Sequence, residues 1–465
     1  MNEPEPGSSS IADFETWAPV LRLLRAGSSD QPAGEPVRVT GRIGMRSWSL
    51  NLPRRMPPLE LPLQTEDMAD ERGAVNRVRT ALADAGIEDL SFTAEVFATG
   101  RTVLHLLGPS SAAPSAVGNR YPHELILVEG SVPEPWRRLP KQFPDVAPAP
   151  SADAPLLELT LRERLPDAIG ATEQEIADAE SCLGVALPAE LKALYRVTRA
   201  RWEDWNDAEA AHRVMDAVGG FELFPLDQLY IADPASRPSR WDFGAMQAIV
   251  TPPDAAVQQL VGSAGWIAFG DTGGGDRLAV DLTPGPRGHV GQVVILSHEE
   301  HTGAGLVADS LTDLVLRRPS SYTPQHHDDQ PAIVAHVNAR SPSLRSVEAA
   351  AHPGLEVLSL GVWEGEPASL APVIGLPRLR TLCAYPGTLA DPLEIAELTG
   401  LEFLQIGARD WRVLLDAGAV PSSLSAAAIE AFDEDPLAIV ALADEILALW
   451  RRPPIPQTVV EGVLG

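Results

Sequence analysis

Apolar positions change period several times along the chain, and each change marks an element. Val37 to Leu52 alternates around Gly41 and Gly44, whereas Ala74 to Ala85 (AVNRVRTALADA) brings Val75, Val78, Ala81 and Leu82 back at helical spacing. Phe92 to Leu107 alternates again on either side of Ala98-Thr99-Gly100-Arg101, the pattern of a hairpin, and Glu124 to Val128 (ELILV) supplies a further short strand. These segments predict an α+β domain over residues 1–143, in which His105 and His123 read as ordinary strand or loop histidines.

The middle of the chain opens with helices. Thr172 and Glu175 stand at capping-box spacing, Ile176, Ala179 and Leu183 form the buried stripe that follows, and Gly184 closes it. Pro188 then stands at a helix start, and Leu191, Leu194 and Tyr195 continue an apolar face. Gly220 to Leu229 reads as a strand running into a helical turn. Three strands are predicted after it, at Trp266 to Phe269, Leu278 to Leu282 and Val290 to Leu296, with a closing helix from Leu306 to Leu316.

Leucine dominates the last third, in GLEVLSL from Gly354, LRTLCA from Leu379 and GLEFLQI from Gly400. Leu355, Leu379 and Leu401 lie 24 and 22 residues apart, within the period of leucine-rich repeats, each stretch offering one strand and the residues between returning as a helix. A mixed α/β domain with leucine-rich strands is the plainer alternative, since the Asn usual in such repeats is missing. Leu437 to Trp450 reads as an amphipathic closing helix.

Two proline-rich stretches, 144–155 and 317–331, separate these regions and read as linkers. The expected organisation is therefore a multidomain α+β chain with an N-terminal domain over 1–143, a central domain with an antiparallel sheet over 156–316, and a leucine-rich α/β segment over 332–465. Composition narrows the function classes. The 465 residues contain 64 Asp and Glu against 36 Lys and Arg, a net charge of −28 that opposes binding to a phosphate backbone. Residues 156–316 hold 25 of those acids against 11 basic residues, so half of the excess sits in about a third of the chain. No apolar run approaches the roughly 20 residues that cross a bilayer, and the polar, acidic N-terminus is unlike a secretory signal, so a cytoplasmic location is expected. The two cysteines, Cys182 and Cys383, read as small buried hydrophobes.

Candidate chemistry is sparse. Gly273-Gly274-Gly275 precedes a strand and not a helix N-terminus, and with Asp271, Asp276 and Asp281 nearby it reads as a hairpin turn and not as a phosphate cradle or a calcium loop. In His298-Glu299-Glu300-His301 the histidines are three apart, where a zinc hydrolase needs four on one helix. His326-His327-Asp328-Asp329 belongs to a polar tract. No cofactor, metal or nucleotide is expected. The placement that most suggests recognition is Trp202 and Trp205 among Glu203 and Asp204, joined by Asp271, Asp276, Glu299 and Glu300: aromatic anchors with acids that would steer a basic protein partner. One Trp packed in the core with the other on a helix rim accounts for the tryptophans equally well.

The run Leu183-Gly184-x-x-Leu187-Pro188-x-x-Leu191-Lys192-x-Leu194-Tyr195 resembles the opening of SUKH domains. Gly265-Trp266-Ile267-x-Phe269-x-x-Thr272-Gly273-Gly274-Gly275-Asp276-x-Leu278-x-Val280-Asp281-x-x-Pro284-Gly285 resembles their central signature, and Gly288 to Val294, His298 and Val307 to Leu311 resemble their end. The resemblance implies a non-enzymatic binding domain. That superfamily takes in the yeast cell-wall-assembly regulator and bacterial immunity proteins that neutralise toxins by binding them, so a basic toxin domain is one implied partner. The alternatives are an intracellular regulator or scaffold, and a hydrolase whose active site escapes recognition. Where many members carry Asn-Gly soon after the Tyr, this chain runs Arg196 to Val218, rich in Trp, Asp and Glu.

Overall fold

The computed structural model describes residues 10–27, 36–50, 52, 69–113, 124–204, 208–323, 332–338, 344–361, 366–431 and 434–465. They divide into two compact units. One is formed by residues 1–131 together with 335–465, the other by Val132–Val334.

The first unit begins with helix α1 (Phe14–Gly27), strands β1 (Val37–Gly44) and β2 (Trp48–Leu50), helix α2 (Ala69–Asp84) and strands β3 (Asp89–Val96), β4 (Arg101–Leu107) and β5 (Glu124–Val128). The expected hairpin is the β3–β4 pair, with Gly100 in the left-handed region at its turn. Trp17 of α1 is fully buried edge-on against Phe92 and, with Val75, Val78 and Leu82 of α2, seals one face of this sheet. β5 does not join it.

The second unit is one unbroken stretch. Helices α3 (Glu134–Arg137), α4 (Ala154–Arg164), α5 (Glu173–Leu183), α6 (Ala189–Val197) and α7 (Ala208–Val218) precede strands β6 (Glu222–Leu223) and β7 (Tyr230–Ile231), helix α8 (Trp241–Ala245), strands β8 (Trp266–Asp271), β9 (Arg277–Asp281), β10 (Gln292–Leu296) and β11 (Gly305–Ala308), and helix α9 (Leu311–Leu316). The antiparallel sheet runs β11-β10-β9-β8-β6, with β7 also on β8. Both of its faces are covered. Ile267, Phe269, Leu278, Val280 and Val293 pack on the helical layer, while Trp266, Ala268, Ala279, Val294 and Leu296 pack under Trp136 and the 249–261 segment.

Local signals account for the helical layer. Thr172 accepts from Glu175 N at 3.2 Å while the Glu175 carboxylate accepts from Thr172 N at 2.8 Å, and Gly184 stops α5 at φ 69°. Buried Tyr195 donates its hydroxyl to the Phe224 carbonyl at 2.6 Å. The carboxylate of buried Glu190 accepts from Leu311 N and Thr312 N, tying α6 to the start of α9. The closing helix is shorter than its apolar run suggested. Residues 305–308 form β11, and Ser310, accepting from Asp313 N at 3.0 Å, starts the helix only at Leu311.

Residues 144–155 are not a free connection, because they lie against the central unit. Val290 N donates to Ala147 O at 3.1 Å and Asp153 N to Thr312 Oγ1 at 3.2 Å, and Ser151 bonds to Asp313. In the second proline-rich stretch Ser320 and Ser321 bond to Asp309 and Tyr322 packs on the lower core. His326 to Asp329 fall outside the described residues. Cys182 is exposed and Cys383 half-buried, so neither is the buried hydrophobe expected.

The chain then returns to the first unit through β12 (Val334–Val337), helix α10 (Val347–Ala350), β13 (Val357–Leu360), β14 (Thr381–Ala384), β15 (Phe403–Gly407), helix α11 (Ala408–Asp416), β16 (Ala426–Glu430), helix α12 (Pro436–Leu449) and β17 (Gln457–Val463). β13 to β16 are parallel neighbours, and the leucine spacing is the spacing of this ladder. The returns after β13 and β14 are short 3-10 turns, Ala371–Val373 and Pro392–Glu397, each with a proline at its start, where helices were expected. The residue after each repeat leucine is charged and buried: Glu356, Arg380 and Glu402, at 1, 7 and 7% exposure. Arg380 N donates to Glu356 O and Glu402 N to Arg380 O, and Arg380 lies 3.5 Å from the Glu356 carboxylate.

Two strands cross between the N- and C-terminal segments, which were expected to be separate domains. β5 closes the leucine-rich sheet by pairing antiparallel with β16, and β17 closes the N-terminal sheet by pairing with β4. Val460 and Leu464 enter the core beneath Trp17, and Gly462 passes so close to Phe14 that a Cβ there would stand 2.2 Å from its ring.

Candidate functional site

The end of the central sheet is shaped by the β8–β9 turn. Gly273 and Gly275 have φ of 83° and 104°, which only glycine adopts without strain, and Asp271 accepts from Gly273 N at 2.6 Å while pairing with Arg277. Asp276 then reaches across to the loop after β10, accepting from His298 N at 2.9 Å and from His298 Nδ1 at 2.7 Å. These two bonds hold its carboxyl below the usual range.

Arg237 secures the other side. Its guanidinium donates to the carbonyls of Val261 (3.0 Å), Gly303 (2.9 Å), Ser297 (3.2 Å) and Glu300, and burial pushes its pKa down. Trp136 Nε1 donates to the Arg237 carbonyl at 2.9 Å, so the stretch preceding the expected domain boundary supports this corner. Between these parts lies a cleft of about 320 Å³, lined by Tyr230, Arg237, Arg277, Leu296, His298 and Glu300 among others. The His301 ring stacks on half-exposed Phe243 with centroids 5.8 Å apart. The two histidines of the His-Glu-Glu-His run thus have different partners, and no group of three or more metal-ligating side chains occurs among the described residues.

The other predicted residues sit elsewhere. Trp202–Asp204 form a 3-10 turn after α6, where Trp202 is 67% exposed. Asp204 is paired with Arg199 at 2.6 and 2.7 Å, which lowers its carboxyl pKa, and Glu175 lies 3.7 Å from Arg199 and 3.4 Å from Arg201. Glu203 is exposed, and Trp205 falls outside the described residues. The acids expected to form one face therefore belong to two groups: Asp271, Asp276, Glu299 and Glu300 around the sheet end, and Glu203 and Asp204 on the helical layer. Sequence reasoning missed Tyr230, on the two-residue strand β7, and Arg237, in an irregular segment whose role is visible only in the carbonyls that Arg237 gathers.

A second cleft of about 320 Å³ opens beside Arg287, His289, Gln292, Asp309 and Tyr322. Behind it Asp281 is buried, accepting from Thr283 N at 2.8 Å and from Gln292 Nε2 at 2.9 Å; burial raises its pKa to about 6. Gln292 also donates to Ala256 O and accepts from His289 N, so this network joins β9, β10 and the covering segment.

Helices on one face of an antiparallel meander, with an irregular layer on the other, define an α+β domain. Residues 170–317 match the model of the SMI1 / KNR4 family (SUKH-1), and the central unit carries a domain of that family. Among curated proteins, the glucan synthesis regulatory protein of Neurospora crassa is 29% identical over 104 residues, 22% of this chain and 19% of that protein. The KNR4/SMI1 homolog of Kluyveromyces lactis is 36% identical over 64 residues, 14% of this chain and 12% of that protein. The matched stretches thus span less than a fifth of either relative. No helix among the described residues is long and apolar enough to cross a membrane.

Proposed function

We propose that the chain is a non-enzymatic protein-binding protein whose SUKH domain engages a partner directly, in the manner of an immunity protein that neutralises a basic toxin domain. What carries this reading is the SMI1 / KNR4 match over the central unit, together with four acids at the sheet end, of which Glu300 lines the cleft there. Trp202 and Glu203 offer a second contact on the helical layer. The leucine-rich strands, read as repeats, add a third surface. A regulator or scaffold of the cell-wall-assembly kind is supported equally by the names of the two curated relatives.

The test is affinity capture with the full chain, followed by reconstitution with the purified partner and measurement of binding to the chain and to the 132–334 fragment. A partner that binds both equally supports the reading, and a toxin whose activity is blocked selects immunity over regulation. A partner that binds only when residues outside 132–334 are present would remove the SUKH domain from the role. Turnover of a substrate by the purified chain would make it an enzyme.

A further inference from the structure

The segment that leaves α9 is tied down through a single carboxylate. Asp309, 7% exposed, accepts at one oxygen from Ser320 Oγ at 2.6 Å and at the other from Ser321 N and Ser321 Oγ at 2.8 and 2.6 Å. Ser320 Oγ also accepts from Tyr322 N at 3.1 Å, and the Tyr322 ring packs on the lower core, where Ser321, Tyr322 and Thr323 wall the cleft beside Arg287 and His289. Burial would raise the Asp309 pKa, but the bonds from Ser320 and Ser321 bring it below the ordinary value, so the group is an anion at neutral pH. Immediately before this strap stand Arg317, Arg318 and Pro319, all exposed. The chain has four Arg-Arg pairs, and only this one has a hydroxyl residue two places on, at Ser320.

We propose that Ser320 is a phosphorylation site, read by an arginine-directed serine kinase through Arg317 and Arg318, and that the phosphoryl group releases the strap from Asp309. Two arginines ahead of the acceptor supply the kind of charge pattern by which a kinase selects its substrate. A surface strap held by so few bonds opens locally, which presents Ser320 extended. Ser320 Oγ attacks the γ-phosphorus of ATP; the new O–P bond forms as the bond to the bridging oxygen breaks, ADP leaves with the electron pair, and the hydroxyl proton passes to the kinase base. The product carries about −1.5 to −2 charges at pH 7. Its Oγ has lost the hydrogen that it donated, and phosphate and carboxylate repel where they previously bonded. Tyr322 then leaves the lower core and the cleft beside Arg287 and His289 opens on that side. The inference goes beyond the partner-binding reading and does not depend on it.

The full chain is incubated with the catalytic subunit of an arginine-directed serine kinase and magnesium ATP, and the site is located by peptide mass spectrometry. A phosphoryl group on Ser320 is expected, absent from S320A. Hydrogen exchange then compares the two forms. The Ser321 and Tyr322 amides should exchange about tenfold faster, or more, in the phosphorylated chain, while β8–β10 keep their protection. In D309N, which removes the repelling charge, phosphorylation should change the same amides by less than about twofold. The wild-type comparison decides the matter even where D309N fails to fold. Failure of Ser320 to accept the phosphoryl group, or a phosphorylated strap as protected as before, overturns the proposal, and an equal loss of protection in folded D309N overturns its electrostatic cause. Chain isolated from the cells that make it should carry the same group at Ser320, and its absence under every growth and stress condition tried overturns the site.

Discussion

The two units solve the same problem, a sheet that must be buried, with opposite connectivity. The central unit is one continuous stretch of chain whose strands pair with near neighbours. The other unit is woven: Arg101 and Glu461, 360 residues apart, are cross-strand neighbours, and β5 supplies the edge of a sheet whose other strands all come from beyond residue 333. Continuity makes a domain readable and separable. Weaving makes two distant segments depend on each other for folding.

The largest effect that would break this comparison is removal of residues 457–465. That deletion exposes the whole outer edge of β4 and takes Val460 and Leu464 out of the core, at a cost of several kcal/mol against a typical domain stability of about 5–15 kcal/mol. Hydrogen exchange should show β1, β3 and β4 losing protection while β8–β10 keep theirs. Persistent protection of β3 and β4 would mean that the N-terminal sheet folds without its partner strand.

Trp136→Ala sharpens the boundary of the continuous unit. Its ring is buried in the lower core, so truncation should cost about 3–5 kcal/mol in the 132–334 fragment by urea unfolding, and a fragment of 156–318 should be destabilised at least as much. Equal stability of the two fragments would return residues 132–155 to the status of a linker.

Asp281 gives the continuous unit a pH signature. Its folded pKa of about 6 lies above the ordinary 3.8, so the folded state holds a proton that the unfolded state releases. The associated stability is fully present below about pH 4 and is lost as pH rises through 6, an effect of up to about 3 kcal/mol. Thermal unfolding of the 132–334 fragment between pH 4 and 8 should show this fall against Asp281→Asn, whose side chain does not titrate. Parallel curves for the two proteins would show Asp281 to be ionised at an ordinary pKa.

The smallest effect is at Tyr195→Phe. Losing the hydroxyl that Phe224 O accepts should cost about 1–2 kcal/mol, read in the midpoint of denaturation with an unchanged slope.

Legibility follows the same division. The Thr172–Glu175 box, the Gly273–Gly275 turn and the β8–β10 meander are written in contiguous residues, so local spacing was enough to place them. ELILV was legible as a strand but not as an edge of the leucine-rich sheet, because no periodicity records a partner 300 residues away. VVEGV gave still less, since a strand with one buried valine reads as a tail. At the candidate site the acids were visible as letters. Their partners were not, and it is the partners that distinguish committed Asp271, Asp276 and Asp204 from Glu299 and Glu300.

The alternation of Glu356, Arg380 and Glu402 also restricts how the parallel ladder could have grown. Excising one middle copy would set two buried carboxylates on adjoining strands about 4.8 Å apart, and inserting one copy would pair like with like at one junction or the other. Copies gained or lost two at a time would keep the alternation, a parity preference that the flanking leucines alone would not impose.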